Sequence, residues 1–450
     1  MERFYTCRVA KGEGRKMMAR LLVLVMSFVL GTHAAWAQSN PTYVQFENFT
    51  VKGVLYQPDS GEPHVAVLLI HRVNNYLGHI AARELARRGF LVLAMNSRFD
   101  NNEASVIWEA IALDVKEGVE FLRKRPGIRK VVLFGHSGGG PTLSFYQAVA
   151  EKGVAFCNMP SKITVCGTEL GKLPAADGLI LADASLGNPA GLLRGLNPAV
   201  VKEGDPKTLD PALDPFTPAN GFNPNGVSSY TPDFVQRYAA AQSARMNRLI
   251  ELASMQAIQF GTELGLFPDD NVFLIVRAQG SRLPDRASLE ADGATMHPRK
   301  LLKNDGSVST EMIKTVRPPG KPNPAANATF ERGARLLTLR SFLTANAIRS
   351  TNSSTGIDWC STNNSTPCAL GQIDVPLLVT AMGGGTGIRD NEWLYAQAAS
   401  RDKDFFVLEG ATHNIEPCVE CETRKGQYDN CTKNYFNYLR DWINQRFRER

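Results

Sequence analysis

Three observations predict an α/β protein built on a mostly parallel, doubly wound sheet. Short apolar runs alternate with amphipathic helical runs from Val65 to Ala182. The alternation breaks off and then returns from Val375 to Phe447. The chain has 450 residues, 43% apolar and 21% charged, which is globular and long enough for one large domain with an insertion. Strand–helix alternation of this kind implies right-handed crossovers and strands buried on both faces.

The elements follow in order. Val65–Ile70 reads as a buried strand, a helix spans Ile80 to Arg88, and Gly89 stops it. Phe90–Met95 is the next strand. A helix from about Ala104 to Arg125 carries Ile107, Ile111, Val115, Val119 and Leu122 at three- and four-residue steps, and Pro126-Gly127 ends it. Val131–Phe134 is a third strand, followed by a helix through Ala150, and Gly178–Ala182 is a fourth. From about Ser185 to Gly371 the chain is rich in Pro, Gly and Asn, with one clear helix from Pro232 to about Leu264. A stretch that long exceeds an ordinary connection and predicts an inserted cap over 185–371, between the strand ending near Asp183 and the one starting near Val375. The core then comprises 38–184 and 372–450. Val375–Ala381, a helix from Glu392 to Ala399, Phe405–Leu408 and a helix from Lys433 to Phe447 complete it.

The first 37 residues read differently. Arg15-Lys16-Met17-Met18-Ala19-Arg20 is a basic start, Leu21–Leu30 is a short apolar core, and Ala35-Trp36-Ala37 fits a cleavage site. That pattern predicts a signal peptide and a secreted or periplasmic protein, with no stable membrane insertion once the leader is removed. The formal charge of +6 is mostly the leader's, which holds six basic and two acidic side chains and leaves +2 behind. No nucleic-acid partner is expected at that charge. Seven cysteines follow the leader, and the close spacings of Cys157/Cys166 and Cys360/Cys368 suggest disulfide loops of an oxidising compartment. Cys418, Cys421 and Cys431 leave one thiol over. With His413 they could imitate a Cys₃His zinc site, but export favours disulfides, and neither metal nor cofactor is expected.

Gly135-His136-Ser137-Gly138-Gly139 is a G-x-S-x-G string set between a strand and a helix that Pro141 opens. A serine pinned on so tight a turn needs small neighbours, and the strain lifts its hydroxyl above the sheet edge. Ser137 is therefore the candidate nucleophile. A hydroxyl needs a base, and the histidines after the leader are His64, His71, His79, His136, His297 and His413. His413 follows the last strand at the carboxyl edge, where open α/β sheets bind ligands, and is the candidate base. The orienting acid is left between Asp183, which closes the strand after the nucleophile's and is favoured, and Asp390, the only carboxylate after Val375–Ala381. For the oxyanion the expected donors are the N–H of Gly138 and an N–H of the loop after Ile70, Val73 first and Arg72 next. Arg72 is also a candidate partner for an acidic substrate group.

On the Ile70-His71 strand end, the elbow around Ser137 and the late His413, the chain resembles secreted serine hydrolases of the α/β-hydrolase fold. The resemblance covers about Val51–Gly187 and Ile373–Arg450. It implies a carboxylic ester hydrolase working through an acyl-enzyme on a small-molecule ester. It departs from the family's pattern where His71-Arg72 replaces His-Gly, and where the usual acid position falls near Gly385. Phe216, Phe222, Phe234, Tyr238, Phe260 and Phe267 in the insertion suggest a roomy apolar pocket, hence a bulky or aromatic ester. A secreted amidase or peptidase is the alternative, and a non-catalytic binding protein a more distant one.

Overall fold

The structure is a computed structural model and describes residues 41–262, 265–283, 291–318 and 324–447. The expected leader lies outside the described residues.

β1 (Thr42–Gln45) and β2 (Lys52–Tyr56) form an antiparallel pair that the apolar pattern did not announce. β3 (Val65–His71), α1 (Ile80–Ala86), β4 (Leu91–Asn96), α2 (Trp108–Arg123), β5 (Lys130–His136), α3 (Gly139–Lys152) and β6 (Gly178–Ala182) then alternate as expected. Every residue of β3, β4 and β6 is buried, as the apolar runs require of parallel strands covered on both faces. After the long intervening stretch, β13 (Leu377–Met382), a helix at Ile388–Gln397, β14 (Lys403–Leu408) and a terminal helix at Cys431–Phe447 close the pattern.

The stretch between β6 and β13 contains α4 (Asn188–Gly195) and α5 (Pro232–Ala257). Thr231 caps α5 by accepting from the Phe234 N–H, and Pro232 sits where its missing N–H costs nothing. The helix was expected to reach Leu264 but ends at Ala257, shortly before Gly261 at φ +76°. β7 (Val272–Ile275), β8 (Arg299–Leu302), β9 (Val308–Glu311), β10 (Arg335–Thr338), β11 (Ser350–Asn352) and β12 (Gly356–Ile357) are short. β7 pairs with β10, and β11 with β12. β8 and β9 instead join the main sheet.

That sheet has ten strands in the order β1-β2-β4-β3-β5-β6-β13-β14-β8-β9. β2 runs antiparallel to β4, the strands from β4 to β8 run parallel, and β9 turns back on β8. This is the α/β-hydrolase fold, with two strands added at its far edge. Not all of 185–371 therefore stands apart from the sheet. β8 and β9 are four residues each and largely uncovered, so no apolar run marks them in the sequence.

One face of the sheet is covered by α1 and the terminal helix, through Leu85, Tyr435, Phe436, Leu439 and Trp442. The other is covered by α2, α3 and the helix at Ile388–Gln397, through Ile111, Val115, Leu143, Phe145 and Leu394. Cys157–Cys166 and Cys360–Cys368 are disulfides, and so is Cys418–Cys421, which takes two ligands from the zinc alternative. Cys431 is a buried thiol. Among the described residues no helix is long and apolar enough to cross a membrane.

Candidate active site

Ser137 sits between the end of β5 and the start of α3 with φ at +54°, a conformation a serine adopts only under constraint. The constraint is visible. Its N–H donates to the Ala182 carbonyl at 3.1 Å, and its own carbonyl accepts from Gly140 and Ser185, both at 3.1 Å. The glycines around it are there for space. A Cβ on Gly135 would lie 2.8 Å from the Gly139 carbonyl oxygen, and one on Gly139 would meet the Ile70 carbonyl oxygen.

Strand register decides which carboxylate stands nearest. β5 and β6 pair His136 with Ala182, so Ser137 and Asp183 leave the sheet side by side. Asp183 also has positive φ, +43°, and its N–H donates to the Thr380 carbonyl at 2.8 Å. Its Oδ2 is 2.6 Å from His413 Nδ1. Asn391 bridges the rest, accepting from the Ala184 N–H at 3.0 Å and lying 3.4 Å from Asp183 Oδ1 through Nδ2. Asp390 faces Arg194 Nη1 at 3.6 Å instead. The loop after β13 wraps the Asp183 carboxylate with Gly385 and Gly387. A Cβ on Gly387 would stand 3.3 Å from Asp183 Oδ1.

The histidines separate by charge state. Hydrogen bonding to Asp183 raises the His413 pKa above the ordinary imidazole value, against the effect of burial. Burial pushes His71 down to about 2, His136 to about 3 and His79 to about 4, so these three stay neutral near pH 7.

Two of them form a relay that sequence reasoning missed. The Ala81 N–H donates to His79 Nδ1 at 3.1 Å, which leaves the proton on Nε2, 3.1 Å from His136 Nδ1. His136 Nε2 then donates to the His413 carbonyl at 2.7 Å. The His136 and His413 rings lie 4.7 Å apart. The side chain beside the candidate nucleophile thus holds the backbone of the candidate base.

The oxyanion side differs from expectation. The Val73 N–H is already engaged, donating to His71 Nδ1 at 3.1 Å. The Asn74 N–H shares that acceptor at 2.8 Å. The choice of Val73 is therefore corrected: His71 turns back on its own loop and occupies the donor. Arg72 brings its guanidinium to the elbow instead, and a Cβ on Gly138 would collide with both Arg72 Nη1 and His71 Nε2.

A cavity of about 350 Å³ opens beside Asp183 and His413, bordered by Arg317, Gly385, Asp390 and Asn391. A second of about 350 Å³ shares Ser185 and Asp390 with it and is bordered by Arg194 and Arg282. The insertion's aromatic residues are mostly elsewhere. Phe216 packs edge-on against Phe222, Phe234 lies 5.7 Å from Tyr238, and Phe267 is exposed.

No protein-family model matches the chain, and no curated protein matches it. Solved structures do resemble it. A siderophore hydrolase from Aspergillus fumigatus is 11% identical, with 90% of this chain and 97% of that one covered and a TM-score of 0.40. A soluble variant of monoglyceride lipase from Saccharomyces cerevisiae is 12% identical over 92% and 98% of the two chains, TM-score 0.40. A carboxyl esterase from Bacillus coagulans is 11% identical over 91% and 98%, TM-score 0.38.

Proposed function

We propose that the chain is an exported, serine-dependent carboxylic ester hydrolase that works through an acyl-enzyme. The carrying observation is the His136↔Ala182 register, which sets Ser137 beside an aspartate whose carboxylate lies 2.6 Å from His413. Ser137 Oγ attacks the ester carbonyl while its proton passes to His413 Nε2, and the carbonyl π pair moves onto oxygen. Asp183 holds the ring through Nδ1–H and stabilises the imidazolium. The carbonyl re-forms as the carbon–alkoxy bond breaks, and His413 returns the proton to the leaving alcohol. Water repeats the sequence and frees the acid.

Three disulfides support export to an oxidising compartment. Support for a sizeable ester comes from the cavity beside His413 and the second one that shares Ser185 and Asp390 with it, rather than from the aromatics of the insertion. Turnover of p-nitrophenyl acetate, butyrate, octanoate and benzoate, set against the matching anilides, tests the reading. Ester hydrolysis lost in Ser137→Ala is the expected outcome. Anilide turnover exceeding ester turnover would favour an amidase, and full ester activity in Ser137→Ala would end the proposal.

A further inference from the structure

His71 is 2% exposed, and both of its ring nitrogens can be assigned. Nδ1 accepts two backbone N–H groups, from Val73 and Asn74, so it carries no proton. The proton of the neutral ring is therefore on Nε2. That N–H faces Arg72 Nη1 at 3.5 Å, and a guanidinium has no acceptor to offer it. Two donors confront each other.

The arrangement is held in place from behind. Arg72 Nε and Nη2 engage Glu103 Oε1 at 3.2 and 3.1 Å, and Asn188 Nδ2 donates to the same oxygen at 2.8 Å. With that edge of the guanidinium occupied, Nη1 is turned toward His71 and the elbow. Both donors abut Gly138 Cα so closely that any side chain there would strike them. Gly138 is the N-cap of α3, where the N–H groups lack intrahelical acceptors. Buried donors without an acceptor are costly in a folded protein, and a site that pairs them only while negative charge develops uses that cost for catalysis.

We propose that His71 Nε2–H and Arg72 Nη1–H, together with the Gly138 N–H, form the oxyanion-binding site. Two side chains thereby replace the loop N–H that His71 has taken up. The proposal rests on the ester-hydrolase reading and deepens it. Arg72 becomes a catalytic residue, and Glu103 a positioning residue that acts through it.

The decisive experiment measures Arg72→Met and Arg72→Lys on neutral p-nitrophenyl butyrate and on a p-nitrophenyl monoester of succinate, with thermal melting to verify folding. The expected result for Arg72→Met is a kcat lower by roughly 10²–10³ on both esters with KM little changed, as for loss of one oxyanion donor. Arg72→Lys, which keeps the charge but not the fork, should recover part of that loss. Affinity for a trifluoromethyl ketone should fall by the same factor as kcat. Glu103→Gln should lower kcat less than Arg72→Met does, without moving KM.

A loss confined to KM for the succinate ester would make Arg72 a substrate-carboxylate partner and overturn the proposal. Unchanged kcat in folded Arg72→Met, with Ser137→Ala inactive, would overturn it while leaving the hydrolase reading intact. Should folded Arg72→Met not be obtained, failure of Arg72→Lys to lower kcat would serve the same end. A wild-type protein that neither hydrolyses esters nor binds the ketone would overturn both.

Discussion

The two sides of Ser137 are built on opposite principles. On the proton-transfer side the groups that position the base are paired: Asp183 holds His413, Asn391 spans the acid and the backbone beyond it, and the His79–His136 relay ends on the His413 carbonyl. On the other side His71 and Arg72 present donors to each other. A network that is already satisfied fixes geometry, whereas one left short of an acceptor waits for a ligand to supply it. The first can be read from distances alone. The second is visible only once the tautomer of His71 has been worked out.

Substitutions on the matched side sharpen that contrast. Ser137→Ala should remove the largest factor, roughly 10⁶ in kcat, because the members of such a triad act as a unit. Asp183→Asn should lower kcat about 10⁴-fold by favouring the wrong tautomer of His413. Asp390→Asn, tested alongside it, should leave kcat near wild type, since its partner is Arg194. Comparable losses in the two aspartate variants would erase the distinction.

The pH profile has a definite sign. In the proposed proton transfer His413 must start neutral, and Asp183 raises its pKa. The acid limb of kcat/KM should therefore lie above the ordinary imidazole value of about 6.5. It should move down in Asp183→Asn. Stability runs the other way, since the favourable His413–Asp183 interaction is fully present below the unfolded value and is lost as pH rises through the folded one. Activity rises across that same interval.

The smallest effect concerns the relay. His136→Leu should leave Ser137 in place but orphan the His413 carbonyl and the His79 Nε2–H, lowering unfolding stability by about 1–3 kcal/mol in a denaturant titration. A variant as stable as the wild type would mean that the relay does not brace His413.

Legibility in the sequence follows the kind of information each feature needs. β3, β4, β5 and β6 were readable because strands buried on both faces must be apolar throughout. The elbow was readable because its glycines answer to local crowding. The choice between Asp183 and Asp390 depends on strand register, which a single sequence does not contain. β8 and β9 carry no apolar signal because each is four residues long and buries little. Its place after the strand points to Val73, and only the fold of the His71 ring removes it. His136 carries no local signal of its role, yet its position beside Ser137 is what lets it reach the His413 carbonyl.

The most direct measurement is labelling of the intact protein with a fluorophosphonate, followed by peptide mapping of the adduct. A single adduct on Ser137, absent from Ser137→Ala and much slower to form in His413→Ala, is the predicted result. An adduct on another residue, or none under conditions that label a known serine esterase, would contradict it.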